Sequence, residues 1–173
     1  MSTTRKCITR FLFALGAVAM APNYRREASS LREGSVGGVN IHGSSGFIAS
    51  VSEALLYLKQ KYPYGYRLVQ RYVRGIVESG TSRGMGTPIG VIYQKTTPEG
   101  NLSVGPARYA AHLVRYAIAR RKLRGFYIWR SPRSELTSLR RELKAMEILN
   151  CDRKYFHRPL NLVLQIENQL RNE

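Results

Sequence analysis

The chain is poor in the residues that usually build metal and redox sites. Among 173 residues there are only two cysteines and three histidines. Cys7 and Cys151 are far apart and neither belongs to a CxxC pair, so no zinc-finger, thioredoxin-like or disulfide framework is indicated. His42, His112 and His157 form no HxxxH pair. A zinc site would need His112, His157, Cys151 and a glutamate to converge through folding. A metal-dependent hydrolase with such an unrecognised site is one alternative.

Motifs for nucleotide binding and nucleophilic catalysis are also absent. Gly84, Gly86 and Gly90 do not form a GxGxxG or GK[ST] fingerprint between a strand and a helix. No GxSxG elbow is present, and Cys151, although followed six residues later by His157, has no third residue to orient it. The sequence therefore favours a non-enzymatic protein, and it predicts no cofactor.

Two glutamates remain as candidates for acid–base chemistry. Glu135 and Glu142 are seven residues apart on one predicted helix, so both can point to the same side. Paired carboxylates can carry out general acid–base catalysis. Because Arg133, Arg140 and Arg141 lie nearby in the sequence, we favour ordinary ion pairs.

Acidic residues are scarce: 11 stand against 28 lysines and arginines, for a formal net charge of +17. Such a balance favours an anionic partner, whether nucleic acid, an acidic protein or a lipid surface. The alternative is a solvated basic surface, because the cations are spread from Arg5 to Arg171. With 43% apolar residues and eleven tyrosines, the chain is expected to fold.

No apolar run is long enough to cross a bilayer, which takes roughly 20 residues. The longest, FLFALGAVAMA, follows Arg5, Lys6 and Arg10, and no acidic residue precedes Glu27. We interpret residues 1–22 as a targeting or anchoring segment, either a secretory signal or an organellar presequence. A contact with a membrane surface and a buried N-terminal helix are alternatives.

Periodicity predicts one predominantly helical α+β domain over residues 47–173, after a Gly/Ser-rich linker at residues 23–46. Within the linker, residues 39–41 fit a short edge strand, and His42 is interpreted as an exposed loop histidine. The domain is expected to hold about five helices and a small antiparallel β-hairpin. The predicted helices span residues 47–62, 66–79, 106–125, 131–150 and 160–171, and the hairpin has strands at 89–94 and 102–104 around a turn at 97–101.

The helix over residues 106–125 is predicted to be central. It has proline at its first position and glycine just past its end. His112 is interpreted as a satisfied histidine at the edge of the core. One side is apolar, through Ala110, Leu113, Val114, Ala117 and Ile118, and the other faces carry Arg108, Arg115, Arg120, Arg121, Lys122 and Arg124.

Nucleic-acid binding through this helix is an alternative function. Its basic end adjoins the aromatic stretch FYIW at residues 126–129, and cations beside aromatic rings suit phosphate contact and base stacking. FYIW fits a core strand equally well. The candidate residues for contact with an anion or nucleic acid are Arg115, Arg120, Arg121, Lys122 and Arg124.

The order of features in residues 47–150 resembles the compact zincin-like metallopeptidase domains of bacteria. In that family two helices and a hairpin precede an active-site helix of the form LVHExxH. A glycine and a helix with a glutamate ligand follow. This chain has LVRYAIA, then RG, then SELTSLRRELKAMEIL in the matching order.

The resemblance implies a catalytically inactive relative. Arg115 stands at the first zinc-binding histidine, Tyr116 at the general-base glutamate and Ala119 at the second histidine, while Glu135 keeps the place of the glutamate ligand. A metallopeptidase needs both the metal and the base. We expect Arg115 to pair with Glu135, and the scaffold to serve as a non-enzymatic interaction or structural protein. An accessory subunit of a larger assembly, with an acidic protein or nucleic acid as partner, fits this expectation.

Overall fold

The computed structural model describes residues 32–79, 90–95, 104–122 and 131–172. Within these ranges the chain forms five α-helices and a four-stranded sheet, which confirms the predicted α+β class. The predictions for residues 1–22 and 126–129 fall outside the described residues. The elements are β1 (Arg32–Val36), β2 (Val39–Gly43), α1 (Ser45–Lys61), α2 (Pro63–Tyr72), β3 (Gly75–Ser79), β4 (Val91–Lys95), α3 (Pro106–Lys122), α4 (Pro132–Ile148) and α5 (His157–Arg171).

The first two strands form an antiparallel hairpin inside the range predicted as a linker. β1 pairs with β2 up to Val36 opposite Val39. Val39 and Ile41 face the same side of the sheet, because side chains alternate along a strand. Both are fully buried. The linker interpretation of residues 23–46 is therefore wrong from Arg32 onward. The predicted strand at residues 39–41 is present in β2, but the strand order β1-β2-β3-β4 makes it an inner strand and not an edge.

The turn of this hairpin requires glycine. Gly37 and Gly38 have φ values of 58° and 82°, and positive φ at both central residues is the signature of a type I′ turn. A Cβ at Gly37 would also overlap the hydroxyl oxygen of Tyr66. The side-chain amide of Gln70 donates a hydrogen bond of 2.7 Å to the Gly37 carbonyl. Helix α2 thus holds the turn in place.

His42 is buried, so its interpretation as an exposed loop histidine is wrong. The pairing of β1 with β2 sets His42 opposite Glu33, and the imidazole Nδ1 lies 3.5 Å from the Glu33 carboxylate. The strand register thus gives this histidine an acidic neighbour.

The helix predicted over residues 66–79 is two elements. Helix α2 ends at Tyr72, and β3 follows in parallel with both β2 and β4. Ile76 and Val77 are both buried, from opposite faces of a strand. A strand that is buried on both faces is a continuous apolar run, which periodicity does not distinguish from a buried helix.

The strand predicted at residues 89–94 is present from Val91 onward, but most of the antiparallel hairpin predicted to follow it lies outside the described residues. That strand is β4, which begins at Val91 and pairs in parallel with β3. Of the predicted return strand at residues 102–104, only Val104 is described, and it lies in a turn. The turn at 97–101 lies outside the described residues. Among the described strands, β1 and β2 form the antiparallel hairpin.

Helix α3 occupies the centre of the helical layer, as predicted. It packs against α1, α2 and α4. The predicted apolar stripe is buried in full, at Ala110, Leu113, Val114, Ala117 and Ile118. Its small alanines suit close approach by several neighbouring helices at once.

Caps and tertiary hydrogen bonds define the other helices. The Ser131 side chain accepts a hydrogen bond from the Ser134 backbone N–H at the start of α4, and Ser44 caps α1 in the same way. The Tyr57 hydroxyl donates to the Leu149 carbonyl at 3.0 Å and ties α1 to the end of α4. Helix α5 packs on α4. None of the helices in the described ranges has the length and apolarity to span a membrane.

Candidate functional site

The most unusual feature of the core is a cluster of charged side chains between α3 and α4. Arg108, near the start of α3, contacts Glu142 of α4, and Arg115, two turns later, contacts Glu135. The contacts therefore run in opposite order along the two helices, which shows that the helices are antiparallel. Arg108 and Arg115 are seven residues apart, as are Glu135 and Glu142, so each pair lies on one helix face.

Glu142 is the centre of the cluster. Its side chain is fully buried, and both carboxylate oxygens accept hydrogen bonds from arginine. Arg108 Nη1 donates to Oε1 at 2.6 Å, and Arg115 Nη1 donates to Oε2 at 3.0 Å. The buried charge is thus paired on both sides, as burial of a carboxylate requires.

Arg115 joins the two glutamates. While its Nη1 contacts Glu142, its Nη2 donates to Glu135 Oε1 at 2.6 Å. The side chain of Arg115 is 13% exposed and that of Glu135 is 21% exposed. The predicted pairing of Arg115 with Glu135 is confirmed, and so is the preference for ion pairs at both glutamates. Their arginine partners come from α3, however, and not from the sequence neighbours Arg133, Arg140 and Arg141.

The surroundings of Glu142 keep it ionised. Burial by itself raises the pKa of this carboxyl, but the facing His112 imidazole and the charges of Arg108 and Arg115 outweigh burial and hold the pKa at about 2. At neutral pH Glu142 is therefore a permanent anion, matched to two permanent cations.

His112 lies beside the cluster at the edge of the core. Its Nδ1 is 3.7 Å from Glu142 Oε1, which is within reach of a charge interaction but longer than a hydrogen bond. That Nδ1 and the hydroxyl of the buried Tyr109 have no hydrogen-bond partner among the described residues. The interpretation of His112 as a core-edge histidine is confirmed, but its Nδ1 is not satisfied by a hydrogen bond. Burial raises the pKa of Tyr109, which stays neutral.

The residues at the zincin-like motif positions serve the packing of the fold. Arg115 occupies the space between two carboxylates. The Tyr116 hydroxyl is buried and donates to the Val91 carbonyl of β4 at 3.2 Å, which ties α3 to the sheet. Ala119 is half-buried further along α3. Glu135, at the position that the resemblance gives to the glutamate ligand, accepts a hydrogen bond from Arg115.

The candidate anion-contact residues of α3 have different environments. Arg115 is tied to two carboxylates and its side chain is only 13% exposed. Arg120 is half-buried and Arg121 is exposed. Arg124 and the side chain of Lys122 lie outside the described residues. Arg108 lies off the apolar stripe of α3, as predicted, and is buried against Glu142.

Cys151 and His157 come together in one groove, but His112 does not join them. The groove has a volume of about 730 Å³ and lies where α4 leads into α5, lined by Glu147, Asn150, Cys151, Arg153, Phe156, His157 and Leu160. Burial raises the pKa of the Cys151 thiol, which disfavours the thiolate that a nucleophile needs. Among the described residues no three His, Cys, Asp or Glu side chains are grouped to hold a metal ion.

The meeting of Arg108 and Glu142 in one cluster was not predicted from the sequence. The signal was present as two matching spacings: two arginines seven residues apart on α3 and two glutamates seven residues apart on α4. Helical geometry makes each pair co-facial. Only the antiparallel packing of the two helices sets one pair against the other.

Comparison of the chain with protein-family models, with curated proteins and with solved structures finds no match. The function of the α3–α4 cluster is therefore inferred from the geometry of this chain alone.

Proposed function

We propose that the chain is a non-enzymatic interaction protein, a basic accessory subunit of a larger assembly built on a metallopeptidase-like scaffold. The observation that carries this proposal is the position of Arg115, whose guanidinium joins Glu135 to Glu142. A guanidinium is planar, permanently charged and able to bond two carboxylates at once. It therefore occupies oxygens that would otherwise be open to a cation.

The protonation state of the cluster supports a structural role. A general acid or base works best when its pKa is close to the working pH. Glu142, with a pKa of about 2, stays ionised at neutral pH, and its oxygens are bonded to Arg108 and Arg115. Tyr116 stands where the resemblance places the general base. Its hydroxyl donates a hydrogen bond to a backbone carbonyl.

The charge of the chain supports an anionic partner. With a formal charge of +17, the protein attracts acidic surfaces at long range and speeds their encounter. The α3–α4 cluster is not the source of this attraction, because its two arginines face two glutamates. The exposed cations elsewhere on the surface supply it.

The proposal is tested by measuring zinc in the full chain after incubation with one equivalent of Zn²⁺ and dialysis. We expect no stoichiometric metal and no peptide hydrolysis, because the arginine holds the carboxylates. About one tightly bound zinc per chain, together with zinc-dependent hydrolysis, would overturn the proposal.

A double variant tests the scaffold itself. Arg115→His with Ala119→His places two imidazoles four residues apart on one face of α3, one of them at the position from which Arg115 reaches Glu135. We expect this variant to bind one zinc and to gain thermal stability when zinc is added, because the metal replaces the lost guanidinium charge. Arg115→Ala, which removes the cation without adding a ligand, is the control. If the double variant folds by circular dichroism but takes up no zinc, the metallopeptidase-like part of the proposal is wrong.

A further inference from the structure

One segment of the surface carries cations without any acidic residue. Between Glu53 and Glu78 the sequence has no aspartate or glutamate. Its five cations are exposed, and none has an ion-pair partner among the described residues: Lys59, Lys61, Arg67, Arg71 and Arg74. The Arg71 guanidinium lies over the Tyr72 ring, 5.7 Å from its centroid. Unlike Arg108 and Arg115, none of the five is bonded to a carboxylate within the described ranges.

Two tyrosines stand at the corner between α1 and α2. The ring centroids of Tyr62 and Tyr64 are 6.1 Å apart, with the ring planes tilted by 43°. Tyr64 is 46% exposed. The Tyr62 ring lies against the backbone at Gly65, where a Cβ would be 2.5 Å from a ring carbon. The absence of a side chain at Gly65 therefore allows the Tyr62 ring to pack on α2 and fixes its position beside Tyr64.

On helix α2, the exposed Tyr64 is followed by basic side chains on the same face. Arg67 and Arg71 follow Tyr64 by three and seven residues, so all three lie on one face of the helix. The opposite face, with Tyr66 and Val69, is buried in the core. An exposed aromatic ring and two cations are thus presented together along about 10 Å of helix.

Tyr62 is electrostatically coupled to helix α4. Burial raises the pKa of the Tyr62 phenol, and the charge of Arg141 opposes that effect. We define the α1–α2 surface as Lys59, Lys61, Tyr64, Arg67 and Arg71, with Tyr62 at its edge.

We infer that the α1–α2 surface binds single-stranded nucleic acid, with its lysines and arginines on phosphates and Tyr64 stacked on an unpaired base. A basic surface beside an exposed ring is the usual composition of sequence-tolerant single-strand sites. In a duplex the base faces are covered by neighbouring pairs, so an exposed ring has nothing to stack on. This inference rests on the proposed function, because it names the anionic partner of the interaction protein.

The site differs from the one expected at the basic end of α3. There Arg115 is bonded to glutamates and Arg120 is half-buried, whereas the cations of the α1–α2 surface are exposed and unpaired within the described residues. An acidic protein would also be attracted by the cations. It would make no use of the paired, held rings of Tyr62 and Tyr64, and for this reason we favour nucleic acid.

The inference is tested by fluorescence anisotropy with the full chain and labelled single strands of oligo-uridylate and oligo-thymidylate. Duplex DNA and poly-glutamate are the comparison ligands. We expect single strands to bind most tightly, with an affinity that falls steeply between about 50 and 200 mM salt as counterions are released.

Matched variants separate the contributions of charge and stacking. Lys61→Ala with Arg67→Ala removes two phosphate contacts, so the slope of log affinity against log salt should become shallower by about 1.4. Tyr64→Ala should weaken binding about tenfold with little change in slope, and Tyr64→Trp should restore it. Arg158→Ala with Arg171→Ala removes the same charge from exposed positions on α5 and should leave affinity and slope nearly unchanged.

Each contrary outcome is separate from the test of the proposed function. Absence of single-strand binding overturns the inference, and so does an equal loss in the α5 control variant, which would indicate unspecific attraction. If poly-glutamate binds more tightly than single strands and the α1–α2 variants abolish its binding, the partner is an acidic protein, and the proposed interaction role survives without nucleic acid. The zinc measurement tests that role whatever the binding result.

Discussion

Two groups of cations in this molecule have opposite surroundings. Between α3 and α4, Arg108 and Arg115 are almost buried, and each donates to a glutamate within 3.0 Å. On the α1–α2 surface, the lysines and arginines are exposed and have no ion pair among the described residues. The first group stabilises the packing of two helices, and the second is open to a partner. A net charge of +17 does not distinguish these roles, because the distinction depends on where the few acidic residues lie.

The two groups should therefore respond differently to mutation. Removing one member of a buried ion pair leaves an uncompensated charge in a medium that solvates it poorly, and the cost is several kcal/mol. Removing an exposed cation changes stability by a few tenths of a kcal/mol and acts mainly on association with charged ligands. A large change in stability after mutation at the surface, or a small one after mutation in the core, would contradict this difference between the two groups.

The largest effect is expected for Glu142→Gln. This change keeps the shape of the side chain but leaves Arg108 without its anion and Arg115 with only Glu135. We expect a loss of about 3–5 kcal/mol in the free energy of unfolding, measured by urea denaturation. The control is Glu147→Gln on the exposed side of the same helix, which should cost about 0.5 kcal/mol or less. Equal effects of the two changes would mean that the buried cluster does not stabilise the fold.

Acid should remove the same contribution without a mutation. The folded pKa of Glu142, about 2, lies below the ordinary value of 4.5, so the unfolded chain takes up the proton first. The stabilisation, about 3 kcal/mol, is complete above pH 4.5 and is lost as the pH falls from 4.5 toward 2. The measurement is the difference in unfolding free energy between the wild type and Glu142→Gln across this range. A difference that stays constant down to pH 2 would show that ionised Glu142 is not the stabilising group.

The sequence predicted best those elements whose signals are local. Pro106 and the apolar period marked α3, and Ser131 with Pro132 marked the start of α4, because caps and helical spacing act within a few residues. It failed at Ile76 and Val77, where burial on both faces of a strand produces the same apolar run as a buried helix. The prediction also failed at the β1–β2 hairpin. Two short strands around a glycine-rich turn have the composition of a linker, and only their pairing within the sheet identifies them as strands.

The candidate site was predicted in part, for the same reason. Spacing along each helix placed Glu135 and Glu142 on one face, and the resemblance led to the pairing of Arg115 with Glu135. The depth of Glu142 and the role of Arg108 depend on the way α3 packs against α4, which no spacing within one helix specifies. The α1–α2 surface was missed because its tyrosines and cations belong to separate elements that only the corner at Pro63 brings together.

The smallest effect on stability is expected at the α1–α2 surface. In Lys61→Glu with Arg67→Glu, two cations of a wholly basic segment become anions among the remaining cations. Relief of repulsion should raise the free energy of unfolding by about a few tenths of a kcal/mol at low salt. The gain should vanish near 1 M salt, where the Debye length is about 3 Å, so urea denaturation at both salt concentrations checks the prediction. A loss of more than about 1 kcal/mol that salt does not change would mean that Lys61 and Arg67 already stabilise the fold. The surface cations would then be engaged within the fold, as those of the core are. They would not be free to bind a partner.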